Sequence, residues 1–359
     1  MRNAPSARGT ILNNSHLVTG VEKMLRAPLT DKSFELDGED TRRYTQFTNG
    51  VFDRETLTFV ENTPDIRVTN STGWAWEGSG LDRASEEALA AALERVAAEE
   101  STEEGISDTT CELLQGLTDV VGDLDFVHSL CGSWERTLYC LKHLARAVFA
   151  LKYTDVAWMR GPGGNGKDTL ANRMAVLLGS YFANLACEAL TSCRDLDAPS
   201  QTILGLRSRR FVCVREIAKE ARIKGHIYRT IADPKGKVKA RGLYGKDTAF
   251  VPHYLLFLCT NVPIDIDDKG GGTKRRTRIL DMPYNFVDCP QAPNERQKKS
   301  GIEDLFEARN PSFFFLLLQV YRILLSAKST DHVTPIPLDV QEAGRRSLMS
   351  LGWPSSTSL

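Results

Sequence analysis

The sequence lacks the features that identify membrane, secreted and polycationic proteins. Its longest apolar run, FFFLLL at residues 313–318, is too short to cross a bilayer, and residues 1–20 contain no apolar segment of the kind that secretory signals carry. Lysine plus arginine (45) almost balance aspartate plus glutamate (46), which excludes a histone-like polycation. These absences predict an intracellular, soluble protein of the nucleus or cytoplasm with no membrane partner.

The sequence also lacks a C-x-x-C motif, although it contains eight cysteines. Several lie in apolar stretches such as FVCV at residues 211–214, a context that favours buried reduced thiols over a zinc site. With 359 residues, 42% of them hydrophobic, the chain is long enough to form a large globular core. Because neither composition nor net charge indicates a function, the functional residues are expected in local motifs.

Changes in composition along the chain predict four regions. They are a polar lead-in, a β-hairpin with a helical N-terminal region, a core that carries the chemical motifs, and a C-terminal linker, helix and tail, at residues 1–43, 44–152, 153–290 and 291–359. Asn49-Gly50 between apolar neighbours indicates the hairpin. Residues 77–125 carry 14 acidic residues against two arginines, which indicates a solvated helical block with Leu89, Leu93 and Val96 at helical spacing.

The clearest chemical signal is a glycine-rich segment between an apolar strand and an amphipathic helix. Leu170, Met174, Leu177 and Leu178 share one face of that helix. The loop fits the first seven positions of G-x-x-x-x-G-K-[ST], in which backbone N–H groups and a helix amino terminus converge on phosphate oxygens. The predicted nucleotide-binding residues are Gly161, Pro162, Gly163, Gly164, Asn165, Gly166, Lys167, Asp168 and Thr169.

The last position of this pattern is unusual. Asp168 stands where a hydroxyl that binds Mg²⁺ is expected, and Thr169 follows it. Lys167 is expected to reach the β and γ phosphates of ATP. A carboxylate can bind Mg²⁺ but also repels phosphate, so either the metal mediates the contact or Thr169 takes over as the ligand.

Two further polar residues follow predicted strands. Glu216 ends the apolar run RFVCVRE, where a carboxylate at the carboxyl end of a parallel strand can polarise the attacking water or hold Mg²⁺. Asn261 ends the apolar run YLLFLCT and would lie where the γ phosphate and the water meet. Each residue by itself is also compatible with an ordinary strand end.

Basic residues form two groups downstream. The segment DPKGKVKARGLYG alternates Lys235, Lys237, Lys239 and Arg241 with small residues, which predicts a strand or hairpin whose cationic face binds a nucleic-acid backbone. A solvated edge strand protected by lysines is the alternative. Arg275 and Arg276 follow a three-glycine turn and precede a strand, and no local carboxylate pairs with them, so they are candidates for a charge stabiliser that reaches a neighbour's phosphate.

The order of these motifs resembles the superfamily 3 helicases, specifically the helicase halves of viral and phage primase-helicases. GPGGNGKDT resembles their Walker A motif, RRFVCVRE their Walker B, the segment ending LLFLCTNVP their sensor asparagine, and TKRRTRILDMPYNF their arginine-bearing strand. QFTNGVFDRETLTF is similar to the hairpin ahead of their motor. The resemblance covers residues 44–286.

The resemblance implies an α/β fold of P-loop, AAA+-like type, with ATP and Mg²⁺ as cofactors and a hexameric ring on single-stranded DNA. It implies that Lys167 contacts phosphate, Glu216 activates water and Asn261 senses the γ phosphate. Arg276, or the adjacent Arg275, would be the finger supplied across a subunit interface. RNA is left open as the nucleic acid.

Two departures from the family pattern accompany the match. Asp168 replaces the serine, and the family's Thr-Gly-Gly-Asp turn is replaced by ADPKG at residues 232–236. We also expect no primase domain in the short polar segment before Tyr44, so any priming activity would come from another chain or be absent.

Three function classes follow from these observations. The first is an ATP-driven DNA helicase. The second, motivated by Asp168, is an ATP-binding, nucleic-acid-binding module with weak or no hydrolysis. The third is a phosphotransferase, which the arginine pair and the basic ribbon disfavour.

Overall fold

The computed structural model describes residues 36–78, 86–94 without 88 and 92, 117–192, 200–241 without 219, 247–327 without 264 and 269, and 332–350. Most of the predicted lead-in, and Val96 in the acidic block, lie outside these ranges. Of the acidic block, Leu89 and Leu93 are buried in a helix, as their spacing predicts.

The N-terminal part contains a small sheet and two helices. The elements are β1 (Tyr44–Phe47), β2 (Gly50–Asp53), β3 (Thr58–Val60), α1 (Thr118–Cys131) and α2 (Trp134–Val148). The three strands form an antiparallel sheet in the order β1-β2-β3, and a tight turn at Thr48-Asn49 joins the first two. The predicted hairpin is therefore confirmed.

The next part alternates strands and helices. Its elements are β4 (Val156–Arg160), α3 (Lys167–Leu178), β5 (Phe182–Asn184), α4 (Glu188–Thr191), α5 (Gln201–Leu204), β6 (Phe211–Val214), β7 (Arg222–Ile223), α6 (Gly225–Ile231), β8 (Val238–Arg241), β9 (Asp247–Phe250), β10 (Leu255–Thr260), β11 (Asp265–Ile266), α7 (Gly271–Arg276) and β12 (Thr277–Asp281). Two short strands and two helices follow in the described part of the chain: β13 (Asn285–Val287), β14 (Glu295–Gln297), α8 (Asn310–Ser326) and α9 (Leu338–Ser350).

A five-stranded parallel sheet in the order β12-β4-β10-β6-β5 forms the centre of the molecule. Residues in β6 and β10 are buried on both faces, which explains why these strands appear in the sequence as continuous apolar runs. Side chains that alternate along β4 enter two separate cores. Ala157 and Met159 face the core of α1, α2, α3 and α8, whereas Val156 and Trp158 face the core around α6.

Helix α3 packs on the sheet through the predicted face. Leu170, Met174, Leu177 and Leu178 are all at most 1% exposed. The predicted α/β class, a P-loop type of parallel sheet flanked by helices and preceded by a β-hairpin, is confirmed. The domain boundaries stay a prediction.

The N-terminal hairpin is attached directly to the central sheet. Arg210, immediately before β6, donates to Thr45 Oγ1 (2.6 Å) and to the carbonyl oxygens of Tyr44 and Val148. The ring of Phe47 contacts that of Phe314 in α8 edge to face at 5.1 Å between centroids. A buried arginine and an aromatic cluster therefore hold the hairpin on the sheet.

The predicted glycine turn before the arginines is instead a short helix, α7. The carboxylate of Asp268 accepts hydrogen bonds from Gly270 N (2.8 Å) and Thr273 Oγ1 (3.2 Å) at its start. These bonds stabilise a helical turn that the glycines alone would not favour. No helix in the part of the chain that the structure describes is long and apolar enough to cross a membrane.

Candidate nucleotide site and basic hairpin

The phosphate loop joins β4 to α3 and is a cradle of backbone groups. Gly164 and Gly166 adopt positive φ angles of 78° and 80°, which favour glycine. Gly161 N donates to Thr260 O of the neighbouring β10 (3.1 Å), and Gly164 O accepts from Phe286 N (2.8 Å). A Cβ atom on Gly161 would lie 2.0 Å from Asn165 Nδ2. The glycines are therefore required by the conformation of the loop as well as by the approach of a ligand.

Lys167 is buried and folds back into this cradle. Its Nζ is 3.2 Å from Asn165 Oδ1 and 3.4 Å from the carbonyl oxygens of Gly161 and Pro162. Asn165 Nδ2 is buried and has no hydrogen-bond partner among the described residues. Phosphate oxygens would offer the ammonium group stronger, charge-assisted hydrogen bonds than these long contacts.

Asp168 and Thr169 face different surroundings. Thr169, half-buried, lines the cavity beside the loop together with Gly164 and Gly166. Asp168 is exposed. Of the two residues, only Thr169 lines the cavity.

Glu216 and Asn261 lie at the same edge of the sheet as the loop. β10 is the neighbour of both β4 and β6, with Thr260 opposite Arg160 and Leu258 opposite Val214. Because the three strands are parallel, the loop, Asn261 and Glu216 follow three adjacent carboxyl ends. Glu216 is exposed and has a φ of 54°, a left-handed conformation that costs energy for a residue with a Cβ atom.

A cavity of about 870 Å³ opens next to the loop. Its walls include His128 of α1 and, after β12, Tyr284, Phe286 and Arg296. The Arg296 guanidinium carbon lies 3.7 Å from the centre of the Tyr284 ring, and the ring of His128 stacks on that of Trp134 at 3.8 Å. Burial lowers the pKa of His128, which favours the uncharged ring. The volume and the aromatic walls suit a nucleoside.

Sequence reasoning did not find these cavity residues. The only local signal was the pair of aromatic residues in the segment PYNF, residues 283–286, after β12. His128 and Arg296 come from segments far apart in the chain, and no short motif connects them.

Among the described residues, no three His, Cys, Asp or Glu side chains form a metal-binding group. Mg²⁺ commonly binds through one or two carboxylates plus phosphate oxygens, which does not require such a group. Asp168, Thr169 and Glu216 therefore stay predicted ligands that would act together with a bound nucleotide.

The two candidate arginines differ in their surroundings. Arg276 is largely buried, with Nη2 3.7 Å from Asp233 Oδ2 and Nη1 donating to Gly272 O (3.1 Å). The local sequence offers neither arginine a carboxylate, but folding brings Asp233 from a distant loop to Arg276, so the inference that both arginines are unpaired is wrong for Arg276. Arg275 is exposed and makes no ion pair within the described part of the chain.

The basic segment forms an antiparallel hairpin of β8 and β9. Val238 and Ala240 are buried, while Lys235, Lys237 and Lys239 are exposed, so the predicted cationic face is present. The side chain of Arg241 lies outside the described residues. Nucleic-acid binding by this face stays a prediction.

No family model matches the chain. Over 291 residues it is 22% identical to a protein of Acanthamoeba polyphaga mimivirus that carries a provisional helicase name, in an alignment that covers 81% of this chain and 27% of that protein. The resemblance to viral helicases is confirmed. The chain spans about a quarter of that relative's length.

Two solved structures show partial similarity. The apo C-terminal region of NrS-1 aligns at a TM-score of 0.46 and 15% identity, covering 66% of this chain and 52% of that chain. The JCV helicase, in a structure with a bound small molecule, aligns at a TM-score of 0.34 and 15% identity, covering 77% of this chain and 70% of that chain.

Proposed function

We propose that this chain is the motor of an ATP-dependent helicase of the superfamily 3 type. The observation that carries the proposal is the arrangement of three adjacent parallel strands, which brings the phosphate loop, Asn261 and Glu216 to one edge of the sheet. The similarity to a mimivirus protein with a helicase name supports the same class.

In this function each residue has a distinct task. The loop N–H groups and Lys167 bind the β and γ phosphates, Asn261 orients the attacking water, and Glu216 accepts its proton. Bound Mg²⁺, with Thr169 or Asp168 among its ligands, would neutralise charge on the phosphates. The adenosine part would enter the cavity beside Tyr284 and His128.

The exposed basic residues support a nucleic-acid substrate and assembly into a ring. The cationic face of β8 and β9 supports binding to a nucleic-acid backbone, most simply single-stranded DNA, through charge. A hexameric ring would place Arg275 against a neighbour's ATP.

A second function is an ATP-binding module that hydrolyses weakly or not at all. Asp168 favours it, because a carboxylate at this position places negative charge beside the phosphates. Both functions need the same nucleotide site and differ only in turnover.

Phosphate release with and without single-stranded DNA tests the proposal. We expect DNA to stimulate release by the wild-type chain, Lys167→Ala to abolish nucleotide binding and release, and Lys152→Ala, an exposed lysine paired with Glu39, to behave as wild type. A parallel arm with single-stranded RNA decides between the two nucleic acids. ATP binding without release in any arm would support the module instead, and absence of binding would contradict both functions.

A further inference from the structure

His128 is a cavity residue whose ring is held by two contacts. It lies in the last turn of α1, and its carbonyl oxygen accepts from Gly132 N (2.8 Å) at the helix end. The ring stacks on Trp134 with 3.8 Å between centroids and an interplanar angle of 15°. Its Nδ1 lies 3.1 Å from Thr137 Oγ1. The stack and the hydrogen bond together fix the orientation of the ring.

Thr137 determines which ring nitrogen carries the proton. Its hydroxyl donates to the carbonyl oxygen of Ser133 (2.6 Å), and a hydroxyl has only one proton to donate. Thr137 Oγ1 must therefore accept from His128, so Nδ1 carries the proton of that hydrogen bond. Because burial lowers the pKa of His128 and favours the uncharged ring, Nε2 is left with a lone pair and acts as an acceptor.

This acceptor is open to a ligand. His128 Nε2 forms no hydrogen bond within the described part of the chain and is not fully buried. The charged residues that act on the ring, Asp125 and Arg136, have other partners. Asp125 pairs with Lys299 Nζ at 2.8 Å, and Arg136 Nε lies 3.1 Å from Asp339 Oδ2. The ring therefore presents a free acceptor at the cavity wall.

The end of α1 contacts both the phosphate loop and the segment after β12. A Cβ atom on Gly166 would lie 2.4 Å from Leu130 Cδ2, and one on Gly132 would lie 3.1 Å from Tyr284 Cε2. His128 precedes these two α1 contacts by two and four residues and lines the same cavity as Gly166 and Tyr284. A nucleotide whose phosphates occupy the loop can therefore place its base at this wall.

A fixed acceptor distinguishes bases by their exocyclic group. Adenine presents an amino donor at position 6, whereas guanine and hypoxanthine present a carbonyl oxygen there. The amino group would donate to Nε2, but a carbonyl oxygen would bring two acceptors together and leave both unpaired. Because Thr137 holds the proton on Nδ1, the ring cannot change its tautomer to suit the carbonyl oxygen without losing that hydrogen bond.

We propose that His128 selects the base of the bound nucleotide by accepting, at Nε2, a hydrogen bond from the 6-amino group of adenine. Thr137 is the positioning residue that fixes the tautomer of His128. The inference deepens the proposed function and rests on it, since that function places adenosine in this cavity.

Calorimetric Kd values for ADP and IDP, both with Mg²⁺, test the selection, because the two nucleotides differ at position 6 and cannot be hydrolysed at a γ phosphate. Wild type should bind IDP about tenfold or more weakly than ADP. His128→Phe keeps an aromatic ring to stack on Trp134 but has no acceptor. We expect it to bind ADP about fivefold more weakly than wild type, with the two Kd values within about threefold of each other.

Thr137→Val separates the hydrogen-bonding role of His128 from a structural one. Without the hydroxyl the proton can move to Nε2, where it can be donated to the carbonyl oxygen of hypoxanthine. This variant should bind IDP about threefold or more tightly than wild type does, while its Kd for ADP stays within about threefold of wild type. A purely structural role of Thr137 would instead weaken both nucleotides alike.

His226 provides the matched control, because it is an exposed histidine on α6 that does not line the cavity. His226→Phe should keep the wild-type preference for ADP. Thermal unfolding of each variant shows whether it folds, and if His128→Phe does not fold, the preference measured in Thr137→Val decides the question.

The outcomes are separable from those of the proposed function. A wild-type chain that binds neither nucleotide contradicts the proposed function and this inference together. A wild-type chain that binds ADP and IDP equally contradicts the selection by His128 alone. The same conclusion follows if folded His128→Phe, or Thr137→Val, keeps the full wild-type preference.

Discussion

Glu216 combines a strained backbone with an exposed carboxylate. Its φ of 54° costs about 1 to 2 kcal/mol relative to an ordinary conformation, and Ile217 next to it is buried. The buried neighbour anchors the chain beyond β6, so the strain persists. Strained residues of this kind are often retained because they orient a functional side chain.

This strain predicts opposite effects of one substitution on stability and on turnover. Glu216→Gly should raise the free energy of unfolding by up to about 1 kcal/mol, because glycine adopts positive φ freely, and should abolish hydrolysis. Glu216→Gln should leave stability and nucleotide binding unchanged and lower turnover by roughly a hundredfold. Thermal unfolding and phosphate release measure the two effects.

Ser208 provides the matched control, because it has a similar φ of 62° and lies outside the candidate site. Ser208→Gly should gain stability without losing hydrolysis. If Glu216→Gly retains hydrolysis, the base must be sought elsewhere, with Asp233 and Asp247 as the next candidates.

At the scale of elements, buried polar contacts connect α3, the helix after the phosphate loop, to the start of α8. Arg173 of α3 is fully buried and donates to Asn310 Oδ1 (2.7 Å) and to the carbonyl oxygens of Phe306 (3.1 Å) and Arg309 (2.7 Å). Burial lowers the pKa of Arg173 to about 10. The start of α8 is therefore held against α3, whose amino terminus forms the phosphate site.

Asp123 joins α1 to the same region and makes its packing depend on pH. Ser312 Oγ of α8 donates to Asp123 Oδ2 (2.6 Å), and burial raises the pKa of Asp123 to about 6 from 3.8. At a pH between 3.8, the pKa in the unfolded chain, and about 6, the pKa in the folded chain, folded Asp123 holds a proton that the unfolded chain releases. The stability that Asp123 contributes is thus present below about pH 4 and is lost as the pH rises through about 6.

Asp123→Asn, which stays neutral, should escape this loss. We expect the free energy of unfolding of Asp123→Asn, relative to that of wild type, to increase by up to about 1.4 kcal/mol per pH unit between about pH 4 and pH 6. Above about pH 6 this difference should stay constant. Urea unfolding at several pH values measures the difference. Asp125→Asn on the exposed side of α1 is the control, and an Asp123→Asn advantage that is the same at every pH would contradict the assignment.

At the scale of the whole molecule, the proposed ring would give the exposed arginine a partner. Arg276 already has Asp233 as a partner, whereas Arg275 is exposed at the end of α7. A ring would supply Arg275 with a phosphate partner from the next subunit. Between the two arginines predicted from the sequence, the structure thus favours Arg275 for this role.

Mixed assemblies test this role. Arg275→Ala should block hydrolysis without weakening ATP binding, and activity of the wild-type chain should rise more than linearly with protein concentration. Adding Glu216→Gln chains, which keep Arg275, to Arg275→Ala chains, which keep Glu216, should restore part of the hydrolysis. Mixtures in which subunits exchange but release only the sum of the separate activities would show that Arg275 does not act across an interface.

The sequence by itself determined the local elements of the nucleotide site. Continuous apolar runs predicted β6 and β10 because both faces of a central parallel strand are buried, and glycines followed by Lys167 predicted the loop because its conformation needs them. The face of α3 followed from helical periodicity. The glycines before Arg275 were the exception, since Asp268 outside the run stabilises them as a helix.

Only the tertiary structure decided which distant residues meet. Strand order places β10 between β4 and β6, and this places Asn261 between the loop and Glu216. It also pairs Arg276 with Asp233 and assembles the cavity from α1 and the segment after β12. Periodicity and spacing report on neighbours within one element, whereas these contacts depend on how separate elements pack, and the local sequence carries no signal for that.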